Sequence, residues 1–178
     1  LPQLVNAGAS ERGFRFAAEN CDIAFITAGA DPKKLIEATK QAKATANLLN
    51  KPGLKVFGLI TLIPGDSDEQ AQARLNHFDD GVDVVCLEDI ARGYSMNPNV
   101  KEVASVFFGG EKHSSVSPGK LVGSYDTLAR GLARMVVDSE LDGLMLVVPD
   151  YVEDLDAIAK KTLMPMSGYG VTSHIGSA

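Results

Sequence analysis

Apolar positions repeat with two different periods along the chain. Four short apolar runs predict strands, at residues 3–7, 22–27, 55–63 and 143–148. Between them, apolar residues recur every three or four positions, as in helices with one buried face, at residues 14–21, 35–49, 71–82 and 125–136. Strands that alternate with helices predict a parallel sheet with its helices outside. Four such units fit half of an eight-stranded barrel or a small open sheet, and periodicity does not separate the two.

Two segments depart from this alternation. Residues 82–90 fit a strand or a helix, and we favour a helix because no strong turn separates them from the helix before. That helix would turn four apolar residues inward, Val84, Val85, Leu87 and Ile90. Residues 94–120 are rich in Gly, Ser, Asn and Pro and show little periodicity, and loops of this length are usually functional. We therefore predict one domain over residues 1–178, with an insertion at 94–120.

Composition narrows the classes of function. With 178 residues, 45% hydrophobic and 22% charged, the chain can bury a core, which excludes a disordered class. The net charge is −6 and the 17 basic residues are scattered, which argues against a nucleic-acid groove. No apolar run approaches the roughly 18 residues of a membrane span. Cys21 and Cys86 have no metal or redox spacing, so we predict a reducing, cytoplasmic location.

The turn after the first predicted strand is a candidate binding site. Gly8 permits a tight strand-to-helix turn, and Ser10 has the position of a helix N-cap. In parallel α/β proteins, ligands gather at the carboxyl ends of the strands. The free amides of Ala9 and Ser10, with the Ser10 hydroxyl, would suit a phosphate, although a plain helix cap explains the same residues. The segment lacks a Walker lysine, a GxGxxG dinucleotide motif and the second glycine of a nucleophile elbow.

Other polar residues carry weaker signals. The three histidines, His77, His113 and His174, are isolated, so we predict no metal site. Tyr151, Glu153 and Asp154 follow the fourth predicted strand, where barrel enzymes often keep active residues. A helix start enriched in carboxylates by the macrodipole explains these acids equally well, and we favour that interpretation.

Two longer blocks resemble one family, the bacterial luciferase-like flavin-dependent monooxygenases. The first block, residues 3–26, reads QLVNAGASERGFRFAAENCDIAFI. It is similar to the family's fifth strand, followed by A-G-x-S-x-x-G and a helix with F-A-A. The second block, residues 121–166, contains GSYDTLARGLAR, a long apolar strand and MPM. It is similar to the helix before the family's eighth strand and to the closing helix. The matching subgroup holds pyrimidine, alkanesulfonate and dimethyl sulfone monooxygenases.

The resemblance implies a fold and a chemistry. The fold would be the C-terminal half of a (β/α)8 TIM barrel, with four parallel strands and outer helices. FMN would bind at the carboxyl ends of the strands as FMNH2 from a separate flavin reductase. O2 would add to it as a C4a-(hydro)peroxide and oxygenate a small organic substrate, such as a pyrimidine or an organosulfur compound. The Ala9 amide and Ser10 would contact the FMN phosphate, Gly13 would allow close helix packing, and residues 94–120 would be the family's mobile lid.

The chain also departs from the family pattern. Members are roughly twice as long, and this sequence begins where the fifth strand should begin. The absent units supply most isoalloxazine contacts, so catalytic residues stay unassigned. Half a barrel would expose two strand edges and an apolar inner face. We therefore expect a complementary N-terminal half-barrel chain as partner, and a homo-oligomer. Two alternatives are a non-catalytic flavin-binding or structural relative with a truncated barrel, and an ordinary phosphate-binding α/β domain.

Overall fold

A computed structural model describes residues 2–8, 10–26, 32–96 and 119–171. In these residues one sheet contains five parallel strands: β1 Val5–Asn6, β2 Ile23–Ile26, β3 Lys55–Gly65, β4 Lys120–Ser124 and β5 Gly143–Val147. The α-helices are α1 Glu11–Asn20, α2 Pro32–Leu48, α3 Asp68–Asp80, α4 Val84–Ser95, α5 Tyr125–Ser139 and α6 Tyr151–Ile158. A π-helical turn, Ala159–Leu163, and a 3-10 helix, Met164–Tyr169, follow α6. No helix of these ranges is long and apolar enough to cross a membrane.

The central strand β3 organises the sheet. It pairs with β2, which in turn pairs with β1. The middle of β3 pairs with β5, from Phe57 opposite Gly143 to Thr61 opposite Val147. Its carboxyl end, from Thr61 to Gly65, pairs with β4. The predicted parallel α/β class is confirmed, but the sheet has one strand more than the four predicted, because residues 120–124 were not predicted to form a strand.

The main core lies between one face of the sheet and the helices. Val56, Ile60 and Leu62 of β3 are fully buried and belong to one cluster with residues of α1, α2 and α5. Successive side chains of a strand point to opposite faces, so these alternate residues share the helix-covered face. A smaller alanine-rich cluster joins α1 to α2 and β2: Ala17, Ala18, Ala24, Ala46 and Leu54.

The opposite face of the sheet is only partly covered. Phe57 lies on it across from Gly143, whose added Cβ would meet the Phe57 ring at 2.8–3.0 Å. Met145 on β5 is 54% exposed, and Val5 on β1 is 57% exposed. Within the described residues β1 and β5 each pair with a single strand. Each therefore has one strand edge without a described partner.

Helix α4 confirms one prediction and corrects another. Residues 84–95 are helical, as favoured, but three of the four apolar side chains predicted to turn inward do not, and Leu87 is half-buried. Val84, Val85 and Ile90 are all exposed, Val85 by 70%. At the two ends of the predicted insertion at 94–120, α4 continues through Ser95 and β4 begins at Lys120. The rest of that insertion, residues 97–118, lies outside the described residues.

Candidate functional site

The turn between β1 and α1 is shaped by two glycines in close contact. An added Cβ on Gly13 would lie 2.7–2.8 Å from Gly8 backbone atoms, and one on Gly8 would lie 2.9 Å from the Gly13 Cα. The Gly8 N–H donates to Asn6 Oδ1 at 2.9 Å, which closes the turn from its strand side. Glycine at both positions lets the two backbones come this close, so the chain that follows β1 passes directly over the first turn of α1. The close packing predicted for Gly13 is confirmed.

Ser10 is the N-cap of α1. Its Oγ accepts the Gly13 N–H at 3.1 Å, and its carbonyl accepts the Phe14 N–H at 2.8 Å. The Ser10 side chain is exposed, and its hydroxyl hydrogen is left to donate. The amides of Glu11 and Arg12 have no hydrogen-bond partner among the described residues, as expected for the first turn of a helix. Ala9, the other predicted contact, lies outside the described residues.

Four helices begin at the same edge of the sheet with an oxygen cap. Ser10 caps α1, Ser67 caps α3, Ser124 caps α5 and Asp150 caps α6. Each cap follows the carboxyl end of a strand, so the positive ends of four helix dipoles gather at this edge. Helix termini alone thus do not single out one anion site among the four.

Side-chain charge differs between the two sides of this edge. The first turns of α1 and α2 contain three exposed cations, Arg12, Lys33 and Lys34, and one carboxylate, Glu11. The loops and first turns after β3 and β5 contain the carboxylates Asp66, Asp68, Asp150 and Glu153, of which Asp66 pairs with Lys161 at 3.1 Å. The β1–β2 side of the edge is therefore the more positive side. An anionic ligand is favoured there over the β3–β5 side.

Two of these carboxylates are held in the charged form. The pKa of Asp68 is lowered, first because the Ser124 N–H donates to its Oδ1 at 2.6 Å. The pKa of Asp150 is lowered because its carboxylate accepts the backbone N–H groups of Glu153 and Val152. Both groups stay negative at neutral pH. The negative side of the edge is thus a stable feature of the fold.

Asp154 differs from the other acids that follow β5. It is 3% exposed, and the Arg74 guanidinium donates to both of its oxygens, at 2.7 and 2.8 Å. This bidentate pair joins α6 to α3. Asp154 lies in the first turn of α6, as the macrodipole interpretation predicts, but the sequence did not indicate its partner, which lies 80 positions earlier in the chain. Glu153 is exposed, as that interpretation expects.

Other features of the described residues do not compete with this edge as a ligand site. A cavity of about 720 Å³ lies at the opposite edge, between the start of β1 and the end of α1. Glu19 and Asp22 line it, and the carbonyl end of a helix dipole disfavours an anion there. In the ranges that the structure describes, no group of three His, Cys, Asp or Glu side chains could hold a metal ion.

Comparison with known proteins places this geometry in context. No family model matches the chain. It is 30% identical over 166 residues to the pyrimidine monooxygenase RutA of Pseudomonas savastanoi pv. phaseolicola, which covers 89% of this chain and 44% of that relative. It is 37% identical over 78 residues to the dimethyl-sulfide monooxygenase of Hyphomicrobium sulfonivorans, covering 43% of this chain and 16% of the relative. Both relatives are monooxygenases by name, and the structural neighbours belong to the luciferase-like flavin monooxygenases, so the chain is similar to that family. The resemblance read from the two sequence blocks is confirmed.

The structural comparison agrees on the fold. The crystal structure of DmoA from Hyphomicrobium sulfonivorans superposes with a TM-score of 0.78 at 21% identity, covering 97% of this chain and 42% of that one. At this identity the likeness concerns the fold alone. The structural neighbours have the TIM-barrel fold, so the sheet of this chain corresponds to part of a barrel. The chain spans less than half the length of the curated relatives named above.

Proposed function

We propose that this chain is the flavin-phosphate-binding part of an FMNH2-dependent monooxygenase acting on a small organic substrate. The observation that carries the proposal is the Gly8–Ser10 turn, which lies on the positive side of the carboxyl edge in a chain 30% identical to a pyrimidine monooxygenase. A pyrimidine or an organosulfur compound is the class of substrate that the relatives' names support.

The residues of the β1–α1 turn fit a phosphate group. The Ser10 hydroxyl and the amides of Glu11 and Arg12 offer donors at a helix N-terminus, and the Arg12 side chain adds a positive charge. The Gly8–Gly13 contact keeps this terminus free of bulk on the strand side. Ser10 and the Ala9 amide would hold the phosphate of FMN, with the ring system lying across the carboxyl edge. Reduced flavin, when bound, supplies the activation of O2.

The open parts of the sheet support a second chain segment as partner. The unpaired edges of β1 and β5, with Val5 and Met145 exposed beside them, leave apolar surface that a closed barrel would bury. We propose that a complementary N-terminal half-barrel covers this surface, that a flavin reductase supplies FMNH2, and that the assembly forms a homo-oligomer. Cys21 and Cys86 are free thiols, which is consistent with a reducing cytoplasm.

Titration with FMN tests the phosphate site. Ser10→Ala removes the hydroxyl, and we expect the Kd for FMN, measured by quenching of flavin fluorescence, to rise about tenfold, since hydrogen bonds to charged groups contribute about 1.5–3 kcal/mol. Ser67→Ala is the matched control, because Ser67 Oγ caps α3 on the negative side by accepting the Gln70 N–H at 3.2 Å. An equal Kd for the wild type and Ser10→Ala would refute the assignment of Ser10.

A non-catalytic flavin-binding relative is the second candidate, and the partly uncovered inner face of the sheet favours it. A reaction chamber must exclude water, and Met145 is 54% exposed on that face. An oxygenation assay with uracil or dimethyl sulfide, a supplied flavin reductase and FMN distinguishes the two. Binding of FMN without oxygenated product, both for the chain alone and for the chain with a supplied N-terminal half-barrel, would favour the non-catalytic candidate.

A further inference from the structure

Arg74 and Asp154 form a buried link between two parts of the carboxyl edge. Arg74 Nη1 and Nη2 donate to Asp154 Oδ1 and Oδ2 at 2.7 and 2.8 Å, with side-chain exposures of 25% and 5%. Such a bidentate pair fixes both the distance between the guanidinium and the carboxylate and the relative orientation of these two planar groups. Charges at this depth require partners, so the pair is held together more firmly than the exposed pairs of the chain.

Each side of the pair also contacts the carboxyl end of a strand or the loop that follows it. On the β3 side, Arg74 Nη1 lies 3.4 Å from the carbonyl oxygen of Pro64, a fully buried residue near the end of that strand. On the β5 side, the Asp150 N–H donates to Asp154 Oδ2 at 3.1 Å, and the Asp154 N–H donates to the Asp150 carbonyl at 2.9 Å. The carboxyl end of β3 and the loop after β5 are therefore joined through one guanidinium and one carboxylate.

We propose that Arg74 and Asp154 are positioning residues that hold the carboxyl end of β3 and the loop after β5 at the spacing on which flavin binding at the carboxyl edge depends. The effect on flavin binding rests on the proposed function. The fixed spacing of the two segments does not depend on it. The pair lies on the β3–β5 side of the edge, away from the β1–α1 turn. It touches none of the proposed phosphate contacts, so on this proposal it acts on flavin binding through another part of the carboxyl edge.

The pair differs from an ordinary stabilising contact in what its removal should change. Replacing a buried ion pair by apolar side chains of similar volume is often neutral or stabilising. Arg74→Met/Asp154→Leu should consequently fold as stably as the wild type, yet lose the fixed spacing. Lys160→Met/Asp156→Leu is the matched control, since Lys160 and Asp156 form an exposed pair at 2.8 Å near the same helix.

The first readout is hydrogen exchange at two amides of the β5 loop. The Val152 and Glu153 N–H groups donate to Asp150 Oδ1, and neither bond involves a substituted residue. In Arg74→Met/Asp154→Leu we expect exchange at these amides to accelerate about tenfold while exchange in β3 stays unchanged, because only the loop is released. Unchanged exchange at both amides in a folded variant would overturn the positioning role.

The second readout is the Kd for FMN. We expect the Kd to rise about tenfold in Arg74→Met/Asp154→Leu, because binding groups that move from their positions contact the ligand less well. In the control we expect the Kd to stay unchanged. Faster exchange with an unchanged Kd would overturn the link to flavin binding. If the wild type binds no FMN, the proposed function fails, and exchange alone decides the positioning role. Arg74→Lys keeps the positive charge but cannot form the two parallel hydrogen bonds of the guanidinium. If the double variant does not fold, this variant tests the proposal with the same two readouts.

Discussion

Substitution of Gly13 by alanine tests the close approach that shapes the candidate site. The added Cβ would lie 2.7 Å from the carbonyl carbon and oxygen of Gly8 and 2.8 Å from its Cα, all backbone atoms. Backbone cannot rotate away as a side chain can, so overpacking should cost about 3 kcal/mol, the upper end of its usual range. Alanine gains about 1 kcal/mol over glycine as a helix former. The expected net loss is about 2 kcal/mol in the free energy of unfolding.

Urea and thermal unfolding, followed by far-UV circular dichroism, measure this loss. For a chain of this size, about 2 kcal/mol corresponds to a fall in Tm of about 4–8 °C. Gly131→Ala is the matched control within α5, since its Cβ would meet only the ends of the Leu121 side chain, at 3.1 and 3.4 Å. We expect Gly131→Ala to stay within about 1 kcal/mol of the wild type. A Gly13→Ala variant as stable as the wild type would refute the backbone contact.

Two further predictions concern the negative side of the edge and the inner face of the sheet. The pKa of Asp150 is lowered from its ordinary value of 3.8, so its contribution to stability is present above that value and is lost as pH falls through the lower folded pKa. Asp150→Ser keeps a capping oxygen without a titrating group. Its urea midpoint should fall less than that of the wild type between about pH 5 and pH 2. An equal fall of the midpoint with pH in the two proteins would contradict this prediction. Gly143→Ala should lower the free energy of unfolding by about 1–3 kcal/mol, because the added Cβ meets the Phe57 ring. In a double-mutant cycle, Phe57→Leu should relieve most of that loss. Additive losses would show that the ring does not contact the Cβ.

The features that sequence predicted well are local in the chain. The helix α1, its Ser10 cap and the buried residues Phe14, Ala17 and Ala18 all lie within one short segment. Capping depends on a side chain and an amide three positions apart, and helix periodicity on neighbours three and four positions apart. The same holds for α5, which periodicity predicts at residues 125–136. These relations are complete within the segment, so no knowledge of the tertiary structure is needed to find them.

The features that sequence missed depend on distant partners. Strand β4 has only five residues, and it becomes a strand by pairing with the end of β3, some sixty positions earlier. Asp154 was predicted only as an acid at a helix start, and its partner Arg74 lies 80 positions earlier. The sequence likewise predicts α4 but not what covers it, since Val85 is 70% exposed. A one-sided apolar pattern identifies a face suited to burial and leaves its partner unspecified.

The charged residues show how the fold can form a local positive region in a chain whose net charge is negative. A net charge of −6 argues against a polyanionic partner, and by itself would also disfavour any phosphate. The fold, however, brings the starts of α1 and α2 to one side of the carboxyl edge and those of α3 and α6 to the other. The cations of Arg12, Lys33 and Lys34 thereby gather apart from the carboxylates of Asp68 and Asp150. Because screening confines charge interactions to about 10 Å, a ligand at the β1–α1 turn is governed by its neighbours on that side and not by the net charge of the chain.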